Sequence, residues 1–450
     1  MESRNVWVIV LIFVTVAILN CGHVLVAPAK AAQADARWGR LANPGFDTHH
    51  IKATLFFPGQ AKDGTSPYEC SPGSNLPLYT VHPADDRHLN WATSEAKRTF
   101  AMDRMVEAGI NVAVMSSWGE DFLPCSTAWA PWAPMQCSTH AHDELFAAAI
   151  GKHILIIPFI ESRADWNFRN EFPKWGDQVA PGTVSQIVNF IHRYIENPPF
   201  RGAADKWAQV YDRNGQARYA VALIHASSNQ LGPNDHSAYA AGFGAVAQDV
   251  FQRTSIKVGF FLDALPPNTY APGAFKPSWQ STAAFLKNED SILGIMCFIP
   301  EIWVGSSNDT TLLNWKRDFS RGWANTGIPF LMDVSPGYDA HIVFPGSVRY
   351  GLNVEWTMAL SDTVEDFGQD GLMYNSWNGY TEGMAAVVLN EYGDFFYEWL
   401  QTLTCKYPAE DCADVIRCGS KLSADVTGDC HVDWRDLARM AERWLANNAP

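Results

Sequence analysis

The sequence predicts a parallel eight-stranded (β/α)8 barrel followed by a small C-terminal helical module. Two observations carry this prediction. Eight short apolar runs alternate with amphipathic helical patterns from residue 51 to about residue 404, and each run ends at Gly, Pro or polar residues. Parallel strands covered by helices have this pattern, and eight repeats of it are typical of a closed barrel. A doubly wound open sheet shares the alternation, but no glycine-rich phosphate loop follows the first run.

The elements follow from hydrophobic periodicity. The predicted strands are, in chain order, Ile51–Phe57, Asn111–Ser117, His153–Ile160, Tyr219–His225, Ile256–Leu262, Ser291–Ile299, Ile328–Met332 and Gly371–Tyr374. The predicted helices between them include Ser94–Ala108, Val184–Glu196, His236–Arg253, Trp279–Lys287 and Thr311–Ala324. A hairpin leads into the fourth strand, because Asn214-Gly215 suits a tight primed turn.

The N-terminus has the three parts of a secretory signal peptide. Arg4 precedes an apolar run from Val6 to Leu19, and small residues follow that run. We therefore expect a secreted protein, extracellular or periplasmic, although an uncleaved anchor would have the same pattern. The expected organisation is a signal peptide at 1–34, a linker at 35–48, the barrel at 49–404 and a calcium-binding module at 405–450.

Eight of the nine cysteines lie outside the signal segment, and export predicts disulfides among them. Cys125 and Cys137 flank one Trp- and Pro-rich loop. Cys297 lies in an apolar strand and is expected to be unpaired. Four others cluster near the C-terminus, where zinc is the rival to disulfides, although no CxxC pair supports it: Cys405, Cys412, Cys418 and Cys430.

Composition excludes some partners. A net charge of −15 disfavours nucleic acid and anionic membrane surfaces. The 18 tryptophans are compatible with carbohydrate binding, because indole faces stack on sugars, but a large core also uses Trp.

The carboxyl ends of the strands are where a barrel collects catalytic groups. Breaking a glycosidic bond needs two carboxyl groups, one protonated and one ionised. The catalytic candidates are Glu161, Asp263, Glu301 and Glu382. The expected substrate-binding residues are Trp118, His225, Trp303, Trp377 and Asn378.

Structural alternatives exist at several of these positions. Glu161 could pair with Arg163, and His225 could be a satisfied core histidine. Asp333, which follows the seventh predicted strand, is expected to cap the turn at Ser335-Pro336-Gly337.

The run Ser376-Trp377-Asn378-x-x-x-Glu382-Gly383 resembles the last-strand motif WNEWxEG of glycoside hydrolase families 99 and 71. The resemblance implies that Glu382 is the general acid. Gly379 stands where the family has its first carboxylate. The partner must then come from Glu161, Asp263 or Glu301, or the barrel is inactive.

A second motif lies near the C-terminus. Oxygen-bearing residues occur at positions 1, 3, 5, 9 and 12 of a twelve-residue loop, with a main-chain carbonyl at position 7, which is the spacing of a calcium loop. The expected ligands are Asp425, Thr427, Asp429, His431 through its carbonyl, Asp433 and Asp436. The loop resembles one repeat of a dockerin, which implies a cohesin-like or cell-surface partner. Cys430 replaces the usual Gly at position 6, no second clear repeat follows, and an acidic turn before a helix is the structural alternative.

The sequence thus predicts a secreted glycoside hydrolase that cleaves a polysaccharide with paired carboxylates and no catalytic cofactor. The alternative is a non-catalytic glycan-binding or surface-scaffold protein on an inactivated barrel. Metal-dependent hydrolysis is disfavoured, because His225 is the only imidazole among the strand ends considered.

Overall fold

The protein is described here from a computed structural model. All described residues belong to one compact unit, Leu41–Pro450. They are 45–57, 79–89, 91, 94–117, 139–161, 181–224, 236–263, 277–304, 306, 308–342, 345–408, 412–418 and 434–448. The signal segment and the loop with Cys125 and Cys137 lie outside these ranges. Within them, no helix has the length and apolar character needed to cross a membrane.

The strands form a barrel. In chain order they are β1 (Lys52–Phe56), β2 (Val112–Ser117), β3 (Leu155–Glu161), β4 (Gln209–Tyr211), β5 (Ala217–Ile224), β6 (Val258–Asp263), β7 (Ile292–Met296), β8 (Met332–Val334), β9 (Gly337–Asp339), β10 (Arg349–Gly351), β11 (Leu372–Tyr374), β12 (Asn378–Gly379) and β13 (Met384–Ala385). Parallel pairing runs β7-β6-β5-β3-β2-β1-β11-β8, and a parallel bridge from Ile295 to Phe330 joins the two ends. The predicted (β/α)8 fold is confirmed.

Helices follow the strands as predicted. Their bounds are Glu95–Glu107, Thr139–Ala149, Pro181–Ile191, His236–Thr254, Pro277–Leu286, Asp309–Ala324, Val354–Phe367, Phe395–Thr404, Cys412–Arg417 and Trp434–Asn448. The predicted hairpin is also present, since β4 pairs antiparallel with β5 across Asp212–Gly215.

Alternate residues of each strand face two separate cores. In β2, Val112 and Val114 pack in the barrel interior with Leu55, whereas Ala113 and Met115 pack on the outer layer with Met102. The apolar runs of the sequence therefore reflect strands that are buried on both faces.

The seventh barrel strand differs from its prediction of Ile328–Met332, because β8 begins at Met332. Pro329 has no N–H to donate to a strand ladder. The segment before β8 pairs with β7 through the bridge at Phe330, where the Pro329 carbonyl accepts a hydrogen bond of 2.8 Å from the Ile295 N–H. The shift puts Asp333 inside the strand rather than after it.

The segment after the last barrel helix is attached to the base of the barrel. Cys405 and Cys418 form a disulfide, as expected for the C-terminal cysteines, and Cys297 is a buried thiol. Lys52 at the start of β1 donates to Asp414 Oδ2 at 2.7 Å. These contacts cross the boundary that the sequence places between residues 404 and 405.

Candidate active site at the barrel mouth

Five carboxylates share the C-terminal end of the barrel. Glu161 and Asp263 end β3 and β6, Asp333 lies in β8, and Glu301 and Glu382 lie in 3-10 turns after β7 and β11. Since β6, β7, β8 and β11 are consecutive neighbours around the barrel, four of the five line one side of its mouth. Glu161 is described only in its backbone.

Glu382 is partly buried in the turn Tyr380–Glu382. The hydroxyl of Tyr338 donates a hydrogen bond of 3.3 Å to its Oε1. Burial raises the pKa of Glu382 to about 7, against a smaller lowering effect of that hydrogen bond. A carboxyl group with this pKa holds its proton at and below neutral pH, which general acid catalysis requires.

Tyr338 lies on a hairpin that follows β8, and this hairpin positions it at Glu382. β9 and β10 pair antiparallel with Tyr338 opposite Tyr350, and the two rings stack with centroids 5.9 Å apart. Gly337 has a φ of +144°, and a Cβ there would lie 2.5 Å from the carbonyl oxygen of Tyr350. Only glycine permits this approach of the two strands.

Glu301 and Asp333 lie deeper and are fully buried. Lys316, also fully buried, lies 3.1 Å from Glu301 Oε1 and donates a hydrogen bond to Asp333. Asn375 donates to Asp333 as well. The expectation that Asp333 caps the following turn is therefore wrong: its carboxylate bonds to Lys316 and Asn375.

Asp263 is fully buried at the end of β6, and its Oδ1 accepts a hydrogen bond of 2.9 Å from the Phe298 N–H. A buried carboxylate needs such donors, so this contact accounts for at least part of its stabilisation. The bond also ties the end of β6 to the segment that follows β7.

Two of the expected substrate-binding residues have structural contacts. Trp377 is 1% exposed, and its ring packs edge-on against His88 and Tyr397. An indole without a free face cannot stack on a sugar, so its role as a platform is wrong. Asn378 accepts from the Phe57 N–H at 2.9 Å and donates to the Phe57 carbonyl at 2.8 Å. Its amide pairs with the chain leaving β1, and this occupies the group expected to bind hydroxyls.

The other three lie beyond what the structure describes. Trp118 and His225 are outside the described residues, and Trp303 is described only in the backbone of the turn Pro300–Val304. Their roles at the mouth stay predictions.

Most of the expected calcium ligands are likewise outside the described residues: Asp425, Thr427, Asp429, His431 and Asp433. The sixth, Asp436, lies in the first turn of the helix Trp434–Asn448 and is 1% exposed. Its role as a calcium ligand stays a prediction.

Gly379, at the position where the WNEWxEG motif has its first carboxylate, is closely packed. A Cβ at this position would lie 2.5 Å from Ser376 Oγ and 3.3 Å from the Met384 side chain. A larger side chain at this position would therefore have to displace neighbours where β12 packs against β13.

We expect Gly379→Ala to lower the free energy of unfolding by about 1–3 kcal/mol, because overpacking a filled site strains its neighbours. Denaturant unfolding measures the change. Ser376→Ala removes the closest atom, so the double variant should regain part of the loss. Equal stability of Gly379→Ala and the parent would contradict this packing.

Sequence reasoning did not identify Lys316, Tyr338 or Tyr350 as residues of the site. Lys316 did leave a signal, because it lies in the apolar stripe of its helix between Leu312 and Phe319. A lysine in a core-facing stripe predicts a buried carboxylate partner.

No protein-family model matches the chain, and no curated protein matches its sequence. Solved structures do match its fold. A GH99 endo-alpha-mannosidase from Bacteroides thetaiotaomicron matches with a TM-score of 0.51 and 13% identity, over 80% of this chain and 97% of that one. A glycoside hydrolase-like protein matches with a TM-score of 0.50 and 10% identity, over 79% and 93%. These likenesses show that the chain shares its fold with these two proteins.

Proposed function

We propose that the protein hydrolyses O-glycosidic bonds of a polysaccharide at the C-terminal mouth of its barrel. The observation that carries the proposal is Glu382, a partly buried carboxyl group at the end of the last strand with a pKa near 7. In this proposal Glu382 protonates the leaving-group oxygen while an ionised carboxylate stabilises or attacks the anomeric carbon. The fold shared with glycoside hydrolase-like structures supports the same reaction class. Reducing-sugar release across a polysaccharide panel tests it.

The second carboxylate is proposed to be Asp263 or Glu161. Each ends a strand three positions from β11, on either side of the mouth. Glu301 is less suited to contact substrate, because its carboxylate is engaged by Lys316 at 3.1 Å. Asp263→Asn and Glu161→Gln, assayed in parallel, identify the partner as the one whose loss abolishes turnover.

The alternative is a glycan-binding protein without catalysis, and the packing at Gly379 favours it. The motif's first carboxylate cannot be restored there without moving Ser376 or Met384. Calorimetric binding of oligosaccharides without product release, unchanged in Glu382→Gln, would select this alternative.

We further propose that Asp436 and the loop at 425–433 hold a structural Ca²⁺. Hard oxygen ligands at this spacing suit Ca²⁺, and the burial of Asp436 supports an ion at the loop's end. Calorimetric titration of the full chain with Ca²⁺ should give one saturable site. Asp436→Ala should abolish it, whereas Glu442→Ala, on an exposed position of the same helix, should not. Absence of saturable heat in the parent protein would refute the site.

The helix after this loop has an exposed apolar face, formed by Trp434, Leu437, Met440 and Trp444. Their spacing of three and four residues places them on one side. We propose that this face docks a cohesin-like or cell-surface partner, which calorimetry of the full chain with a cohesin domain tests.

Export through residues 1–34 is also proposed, and N-terminal sequencing of extracellular protein tests it.

A further inference from the structure

Lys316 is a fully buried lysine beneath the barrel mouth. It lies on the helix Asp309–Ala324, in a stripe whose other members, including Leu312 and Phe319, are core residues. Its ammonium contacts two carboxylates, with Glu301 Oε1 at 3.1 Å and a hydrogen bond to Asp333. A buried ammonium is retained only where its partners compensate the loss of water, so these contacts determine its position.

The contacts of Lys316 extend across three neighbouring strands. Asp333 lies in β8, and Glu301 follows β7. Asn375, directly after β11, donates one hydrogen bond to Asp333 and another, of 3.0 Å, to the carbonyl of Cys297 at the end of β7. One buried polar network thus connects the ends of the strands that carry Glu301, Asp333 and Glu382.

The charges of this network do not balance. It contains one ammonium and two carboxyl groups, all without exposure to water. An uncompensated charge in such a place is costly, and a buried group takes up a proton instead. We propose that Lys316 is a positioning residue that holds these strand ends together through Glu301 and Asp333, and that this unit binds one exchangeable proton beneath Glu382.

Glu301 is the group that takes the proton. Burial raises the pKa of Asp333 as well, but Asp333 accepts hydrogen bonds from both Lys316 and Asn375, which lower its pKa and stabilise its ionised form. Among the described residues, no side chain other than that of Lys316 is placed to stabilise ionised Glu301. Burial raises the pKa of Glu301 to about 7; Lys316 acts to lower it and Asp333 to raise it.

The other titratable groups around this unit are Asp263 at the end of β6, the Cys297 thiol after β7, and Tyr350 on β10. The thiol feels the charges of Asp263, Asp333, Lys316 and Glu301, and its pKa lies well above the usual range mainly through burial. Neither the thiol nor the phenol ionises near neutral pH, and Asp263 has its own donor in the Phe298 N–H. The proton therefore exchanges on Glu301.

Tyr350 connects the unit to Glu382. Burial raises its pKa most, and the negative charges of Glu301, Asp333 and Glu382 all raise it further, so Tyr350 lies within electrostatic reach of both sites. Its ring stacks on Tyr338, whose hydroxyl donates to Glu382. The proton-binding unit itself does not rest on the proposed function.

Infrared titration of the carboxyl bands of the full chain, without substrate, tests the unit directly. Glu301→Gln and Glu382→Gln assign the two bands that titrate near pH 7. Asp333→Asn should lower the titration midpoint of Glu301 by about one pH unit or more, because the Lys316 ammonium then has Glu301 as its only carboxylate partner in this unit. Lys316→Met should move it up by a similar amount. Lys406→Met is the matched control, because it removes a lysine that pairs with Glu365 near the surface.

Opposite shifts in the two variants would support the unit, and an unmoved Glu301 midpoint in both would overturn it. If Lys316→Met does not fold, Asp333→Asn alone decides by the sign of its shift. The predicted shifts in a protein that releases no sugar would overturn hydrolysis and leave the unit standing. Sugar release by a protein whose Glu301 midpoint does not shift would support hydrolysis and overturn the unit.

Discussion

Glu382→Gln is expected to lower kcat for glycan hydrolysis by about 10²-fold or more, because the amide cannot donate a proton to the leaving group. Gln keeps the size of the side chain and can still accept the Tyr338 hydrogen bond, so the fold should be retained. The measurement is reducing-sugar release on whichever polysaccharide the parent protein cleaves, with circular dichroism to check the fold. Full activity in Glu382→Gln would exclude this residue as the acid.

The same assignment of Glu382 as the acid predicts the direction in which activity changes with pH. The pKa of Glu382 is raised to about 7, so the acid is protonated below this pH and activity should fall as pH rises through it. Tyr338→Phe is the matched variant. The Tyr338 hydrogen bond lowers this pKa, so its loss should move the alkaline limb to higher pH. A limb that moves to lower pH would contradict this assignment.

The barrel could be predicted because the pattern that indicates each strand lies within a few consecutive residues. Each strand is an apolar run bounded by Gly, Pro or polar residues, and this holds even where Pro329 shifts the start of β8. The end of the barrel that carries the carboxylates follows from the fold alone. Local pattern therefore gave the positions of Glu301 and Glu382 in the architecture.

Local pattern could not predict which side chains at the barrel mouth are exposed or what they contact. The same motif residues suit a sugar platform or a packed corner, and Trp377 is buried because His88 and Tyr397 cover it. No local sequence pattern predicts that these three rings come into contact. Side-chain roles at the mouth depend on such contacts between distant segments, whereas strand order does not.

The base of the barrel illustrates the same limit. Lys52 begins β1, and its partner Asp414 lies 362 residues further along the chain. Their side chains are 1% and 10% exposed. The disulfide between Cys405 and Cys418 encloses the short helix that carries Asp414, so the cross-link and the ion pair attach the same segment.

Asp414→Ala is expected to lower the free energy of unfolding by about 3–5 kcal/mol, because it leaves the Lys52 ammonium buried without its carboxylate. The Pro408 carbonyl, at 3.2 Å, would be the acceptor left to it among the contacts described. Denaturant unfolding of the full chain measures the loss. Glu365→Ala is the control, since its partner Lys406 is near the surface and such pairs contribute about 0–1 kcal/mol.

A second substitution separates the buried charge from the packing of the segment. Lys52→Met removes the ammonium, so Asp414→Ala should cost less in that background than in the parent protein. The same loss in both backgrounds would mean that Asp414 acts through Arg417, to which it is also bound at 2.8 Å, and not through Lys52. A smaller loss in the Lys52→Met background would identify the ion pair as the contact that makes residues 405–418 part of the barrel.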